Sequence, residues 1–197
     1  MKTSTIIAFS LFAMTFASCG NKTKEAQPVE EQIVETVDSV TGIIRLKDYS
    51  STDSVTVNDK TYKYTFAFMP VDSLPIITNS QGAQYYDNEV KLTVTSEGTT
   101  VYSHTFRKGD FNGIAPSDLM KTSSLVGFNY NYLKHDDHSA LYFIATIGDP
   151  DISSEISYPI EIKVTAGGTM TMEKAQGFET EPLHSDMNED PNDDYGV

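Results

Sequence analysis

The chain has no tryptophan and a single cysteine, Cys19, and its 14 Lys and Arg face 28 Asp and Glu. A lone thiol excludes any disulfide within the chain, so a folded domain must hold together by burial of its core. The absence of tryptophan removes the ring most often used to stack on sugars. The deficit of basic residues argues against nucleic acid, whose phosphates the chain would repel, and against electrostatic attraction to anionic lipid head groups. Long apolar runs are also missing. The one apolar stretch, Ile6 to Phe16, is interrupted by Ser10 and Thr15 and is too short to span a bilayer.

That stretch follows Lys2 and leads into Ala17-Ser18-Cys19, then the polar run Gly20-Asn21-Lys22-Thr23-Lys24. A short basic start, an apolar segment and small residues before a cysteine resemble the bacterial lipobox, where cleavage ahead of the cysteine leaves a diacylglyceryl thioether. The pattern predicts a signal peptide over 1–18 and lipid attachment at Cys19. Each buried methylene contributes about 0.8 kcal/mol, so several acyl chains on one residue hold a protein on its membrane. An acylated Cys19 would serve neither as nucleophile nor as metal ligand. Asp is absent directly after Cys19, which favours the outer membrane and leaves its periplasmic face and the cell surface both open.

Charge divides the rest of the chain. Glu25, Glu30, Glu31, Glu35 and Asp38 outnumber Lys22 and Lys24 between residues 19 and 40, which reads as a tether, with a short helix over Val29 to Val37 as an alternative. From residue 179 to 197, Glu179, Glu181, Asp186, Glu189, Asp190, Asp193 and Asp194 meet no Lys or Arg, and Pro182 and Pro191 interrupt them. Such a segment buries too little apolar surface to offset the entropy of ordering it, which predicts a disordered acidic tail. Its spacing does not match a calcium loop. Residues 41–178 are left as a single domain with 11 Lys and Arg against 16 Asp and Glu.

Within that domain the apolar period is two. Tyr62, Tyr64, Phe66 and Phe68 alternate with Lys63, Thr65, Ala67 and Met69 up to Pro70. Val90, Leu92 and Val94 alternate with polar residues, and after Ser96-Glu97-Gly98-Thr99 the pattern resumes over Val101 to Phe106, a hairpin with Gly98 suited to positive φ. Leu125 to Lys134 with Ser139 to Ile147, and Ser157 to Thr165 with Thr169 to Lys174, form two further hairpins. Three hairpins in succession predict an antiparallel meander. Gly42 to Leu46, Ser54 to Val57 and Ile76 to Thr78 would add strands, and Pro116 to Lys121 is the one short helix. The fold class is mainly β: an antiparallel β-sandwich or a partly open β-barrel.

Three stretches carry a resemblance: Pro70-Val71-Asp72-Ser73-Leu74-Pro75-Ile76-Ile77, Tyr85-Tyr86-Asp87-Asn88, and Thr105-Phe106-Arg107-Lys108-Gly109-Asp110-Phe111. Over about residues 60 to 175 the sequence is similar to small Bacteroidetes lipoproteins known as domain of unknown function family 4738. The resemblance implies a mostly β envelope lipoprotein without assigned activity and brings no catalytic residues with it. Read physically, Asp87 and Asn88 follow a turn and are placed to bond local backbone amides, and Asp110 to cap a turn at Phe111. A binding role would require Tyr85, Tyr86 and Asp87 to line one cleft.

The residues point to no catalytic, cofactor or metal site. His104, His135, His138 and His184 include no His-x-x-x-His pair, and neither a Gly-x-Ser-x-Gly elbow nor a phosphate-cradling loop occurs. His135-Asp136-Asp137-His138 with Asp149 and Asp151 is the nearest metal constellation, but in a hairpin turn these side chains splay toward water. The rows of Tyr and Phe read as the inner face of a sheet, with a glycan- or apolar-ligand surface as the alternative. The expectation is a lipid-anchored envelope protein that binds or assembles without catalysis, its partner an envelope protein or a glycan and its membrane contact made through Cys19. A glycan- or small-ligand-binding module comes next, and a hydrolase with a site assembled across loops third.

Overall fold

The computed structural model describes residues 35–178. The signal segment, Cys19, most of the tether and the acidic tail lie outside the described residues.

The strands are β1 (Glu35–Val37), β2 (Ile44–Leu46), β3 (Tyr49–Val57), β4 (Lys60–Pro70), β5 (Ile77–Thr78), β6 (Gln84–Tyr85), β7 (Asn88–Ser96), β8 (Thr99–Arg107), β9 (Ser124–Tyr130), β10 (Ala140–Gly148), β11 (Ser157–Thr165) and β12 (Met170–Lys174). One sheet has the order β3-β4-β7-β8 and a second β12-β11-β10-β9, every pairing antiparallel. A small sheet, β1-β2-β6-β5, includes the parallel bridge between Ile44 and Tyr85. The two larger sheets keep separate edge strands, so the domain is sandwich-like with no closed barrel.

Turn chemistry sets the register. The β3–β4 loop is Asn58-Asp59, with φ of 49° and 62°, and the β7–β8 loop is Glu97-Gly98, with φ of 51° and 77°. Two consecutive left-handed residues match the twist of the flanking strands. Once the turns fix register, the period of two decides which side chains go inside. Tyr64, Phe66, Phe68, Val90, Leu92, Val94 and Phe106 face Leu125, Phe128, Tyr130, Leu141, Phe143, Ile160, Ile162 and Val164 in one buried cluster. Across the interface Tyr64 stacks on Tyr130 at 5.2 Å and meets Phe143 edge-on at 5.3 Å, and Phe66 meets Phe128 at 5.1 Å. Each such pair contributes about 0.5–1.5 kcal/mol beyond its area.

The three hairpins form, but not as one meander. β8 and β9 lie in different sheets, joined by a 3-10 turn over Lys108–Phe111 and by α1 (Leu119–Thr122). Phe111 is buried in the core, and so anchors the crossing. The helix is shorter than Pro116 to Lys121 suggested; its first turn closes from the Met120 amide to the Pro116 carbonyl at 3.1 Å. β9 stops at Tyr130, because the Asn131 side chain accepts the Leu133 amide at 3.2 Å and donates to Glu161 at 2.9 Å, which turns the chain. Tyr132 therefore leaves the buried face and is 64% exposed. At the start, residues 35–37, read from sequence as tether, form β1 by pairing with Ile44–Leu46. Their partner lies about ten residues on, and alternation over three residues carries no strand signal of its own.

Candidate functional site

The three stretches that carry the family resemblance meet at one end of the sandwich. The Val71 amide donates to the Asp87 carbonyl at 2.9 Å, Asp72 pairs with Arg45, and the Arg45 guanidinium lies 4.0 Å from the centre of the Tyr86 ring. Asp87 Oδ1 accepts from the Asn88 amide at 2.9 Å and from Ser124 Oγ at 2.8 Å. Asn88 Nδ2 donates to Ser124 Oγ at 3.0 Å and to the Leu125 carbonyl at 2.9 Å. The local amide bond expected for Asp87 is present; Asn88 instead reaches across to β9. Lys108 Nζ donates to the Ser123 carbonyl at 3.0 Å, and burial pushes its pKa down while Asp87 opposes the shift. Asp110 does not cap a turn beginning at Phe111; it closes the turn that ends there, Lys108–Phe111, by accepting the Arg107 amide at 2.8 Å.

This network joins elements; it does not present chemistry to solvent. Asp87, Asn88, Ser123 and Ser124 are all buried, and the Ser124 hydroxyl donates to a carboxylate that is already bonded. Tyr85 and Tyr86 are buried as well. Two atoms, Asn88 Oδ1 and Ser123 Oγ, have no partner among the described residues. Close by, Asp149 accepts from Asn79 Nδ2 at 3.1 Å, Ser80 Oγ at 3.0 Å and the Asp151 amide at 3.0 Å, which fixes the β5–β6 turn to the end of β10. A shallow cleft of about 110 Å³ beside it is floored by Leu46, Val126, Ile152 and Ile156.

The histidine-rich turn is equally occupied. His138 Nδ1 lies 3.2 Å from the Thr56 carbonyl, and Asp137 accepts from the Ser139 amide at 2.9 Å and the Tyr142 hydroxyl at 2.7 Å. Those bonds, with the Ser139 hydroxyl first, hold the Asp137 pKa down to about 2. Asp149 and Asp151 are engaged elsewhere, and no group of three His, Cys, Asp or Glu side chains suited to a metal ion occurs among the described residues. The aromatic row on β4 is core: Tyr62, Tyr64, Phe66 and Phe68 are each 4% exposed or less. A sugar-stacking platform on those rings is thereby ruled out.

What sequence reasoning passed over is the opposite face of the same strands. Register across β3, β4, β7 and β8 aligns Ser50, Ala67, Lys91 and Thr105 in one row, Thr52, Thr65, Thr93 and Ser103 in the next, and Ser54, Lys63, Thr95 and Thr100 in a third. These positions carry hydroxyls, two lysines and one alanine, and no carboxylate, on a chain of net charge −14. Thr52 and Thr65 hydroxyls lie 3.0 Å apart, and those of Thr93 and Ser103 3.3 Å. Each pair consumes one of its two O–H donors and leaves the other for a further partner. Glu89, on the same face one row beyond Lys91, is neutralised by Arg107 Nε at 3.0 Å and Nη2 at 2.9 Å. The signal was available in the polar half of each alternating run, Lys63-x-Thr65 and Lys91-x-Thr93-x-Thr95.

Fold and surface together define a β-sandwich domain with one hydroxyl-rich sheet face, twelve of whose positions carry no carboxylate and whose Glu89 is paired with Arg107. The chain belongs to the family described as Domain of unknown function (DUF4738), whose model matches residues 29–172. The match starts ahead of β1, so the small sheet is part of the family's domain as well as the three stretches seen in the sequence. No curated protein matches the chain.

Proposed function

We propose that the protein is a lipid-anchored component of a bacterial cell envelope that works by binding, without catalysis, through the outer face of the β3-β4-β7-β8 sheet. The single observation that carries the reading is the charge segregation of that face. An acidic chain that keeps carboxylates off twelve neighbouring positions has a surface suited to hydrogen bonding and to negative partners. The flat sheet brings lysines and hydroxyls together with no base poised beside a nucleophile, which suits recognition better than turnover.

Anchoring is supported by Lys2, the apolar run to Phe16, and Ala17-Ser18-Cys19. Outer-membrane placement is the reading favoured by the lack of Asp after Cys19, and a Bacteroidetes origin is what the resemblance implies. Metabolic labelling with an alkyne palmitate analogue tests the anchor: the label should enter the full chain, vanish in Cys19→Ala, and the variant should leave the membrane fraction. A chain that stays membrane-bound and unlabelled after that substitution would overturn the anchoring. For the surface, a photo-crosslinking side chain at Thr93 in living cells should capture envelope material, and the same group at Thr169, in the β11–β12 turn, should not.

A further inference from the structure

We infer that the outer face of the β3-β4-β7-β8 sheet takes an anionic polysaccharide, a chain of hydroxylated sugars bearing carboxylates. The inference rests on the proposed binding role of that face and names its ligand class. Lys63 on β4 and Lys91 on β7 project from adjacent strands, with Lys63 level with Thr95 and Lys91 level with Ala67. Four residues of offset at about 3.3 Å each, and one strand spacing of about 4.8 Å, put the two cations about 14 Å apart. An ion pair needs N···O within about 4 Å, so with both side chains standing off the sheet one small anion cannot contact the two. A polymer with regularly repeated charges can engage both, and its second contact forms at high effective concentration.

The surface between the lysines decides the class of polymer. Thr65 and Thr93 stand there with Ser103 beside them, their remaining hydroxyl donors and acceptors matching those of sugar rings. Nucleic acid fits poorly, because no exposed ring on this face is available to stack a base. An anionic bilayer fits poorly too, because each lysine near such a surface adds only about the strength of a single screened contact and no apolar residue beyond Ala67 lies between them.

The test uses the full chain in detergent with three probes: polygalacturonate as the acidic polymer, dextran as the neutral one, and vesicles containing phosphatidylglycerol. Expected is retardation by polygalacturonate that weakens with salt, at least fivefold weaker binding in the Lys63→Gln/Lys91→Gln double variant, and none by dextran. Both substitutions sit on exposed positions of central strands, and an unchanged melting temperature confirms that the sheet persists. Equal binding in the double variant, equal binding of dextran, vesicle binding without polymer binding, or no polymer binding at all would each overturn the inference. The Thr93 crosslink separates the two levels: capture of an envelope protein with no polymer binding removes the ligand class and keeps the surface, while no capture of any kind removes both.

Discussion

The Tyr49 hydroxyl sits between the two main-chain groups of Phe128, donating to its carbonyl at 3.0 Å and accepting from its amide at 2.8 Å. Phe128 belongs to β9, an edge strand whose unpaired amides and carbonyls would otherwise offer a template to another chain. One side chain of the first large sheet thus closes the open edge of the second. Tyr49→Phe keeps the ring, which stacks on Phe68 at 4.8 Å, and removes only the oxygen. The expected cost is about 1–2 kcal/mol in urea unfolding, with faster hydrogen exchange at the Phe128 amide. Unchanged exchange there would show that the hydroxyl does not guard the edge.

The buried network at Ser124 should behave as a unit. Ser124→Ala deprives Asp87 of one donor and Asn88 of one acceptor, both inside the fold, for an expected loss of about 1–3 kcal/mol. Asn88→Ala removes a side chain whose Oδ1 is already unpartnered. The double variant should lose less than the sum of the two, since they share a contact. Strict additivity in a double-mutant cycle would dissolve the network into independent bonds.

Gly168 in the β11–β12 turn has φ of +80° and lies against the Val101 carbonyl of β8, where a Cβ would collide with main chain. Gly168→Ala meets both the left-handed strain and that contact. A loss of at least about 2 kcal/mol is expected, measured by thermal unfolding, whereas Gly177→Ala, with open space around it, should cost only the strain of its φ of +81°.

Alkaline stability should decline between pH 10 and 12. Burial, with the carboxylates of Glu35, Asp151 and Asp149 adding to it, pushes Tyr85 up to about 12, and burial with Asp110 pushes Tyr102 up to about 12. A folded pKa above the unfolded value near 10 means that this stability is whole below pH 10 and is lost as pH rises through the folded value. Lys108 has the opposite sign, because burial lowers its pKa and the cost of keeping it charged disappears as pH climbs. Burial pushes Tyr64 and Tyr130 up as well, so four tyrosines against one lysine leave a net fall. Tyrosinate absorbance should show late-titrating rings; a melting temperature flat from pH 9 to 12 would contradict this account.

In acid the relevant group is Asp137, held down to about 2 by Ser139 and Tyr142. Its contribution is complete above the ordinary carboxylate value of 3.8 and is lost as pH falls from there toward 2. Asp137→Asn should flatten that part of the stability curve, read as melting temperature against pH. The same slope in the variant would assign the acid loss to other carboxylates.

Sequence reading reached most of the sandwich because its strands alternate clearly. Tyr62 to Phe68 and Val90 to Val94 declare their buried faces, and Glu97-Gly98 its turn. It missed β1, which has no periodicity of its own, and the early end of β9, where the Asn131 side chain competes with strand pairing. It also gave its attention to the apolar half of each run, so Lys63, Lys91 and their hydroxyl neighbours went unnoticed as a surface.

By itself, then, the order of residues determined the elements that depend on near neighbours: period-two strands and two-residue turns. Which hairpins share a sheet was decided only in three dimensions, since sandwich and barrel bury the same alternating residues and differ in which edges meet. The same holds for the convergence of Asp87, Asn88, Lys108 and Ser124, and for the alignment of Lys63 and Lys91 on one face. The physical reason is that strand register and sheet pairing are long-range choices, made by the packing of Tyr64, Phe66, Phe128 and Phe143 against one another and not by any one segment.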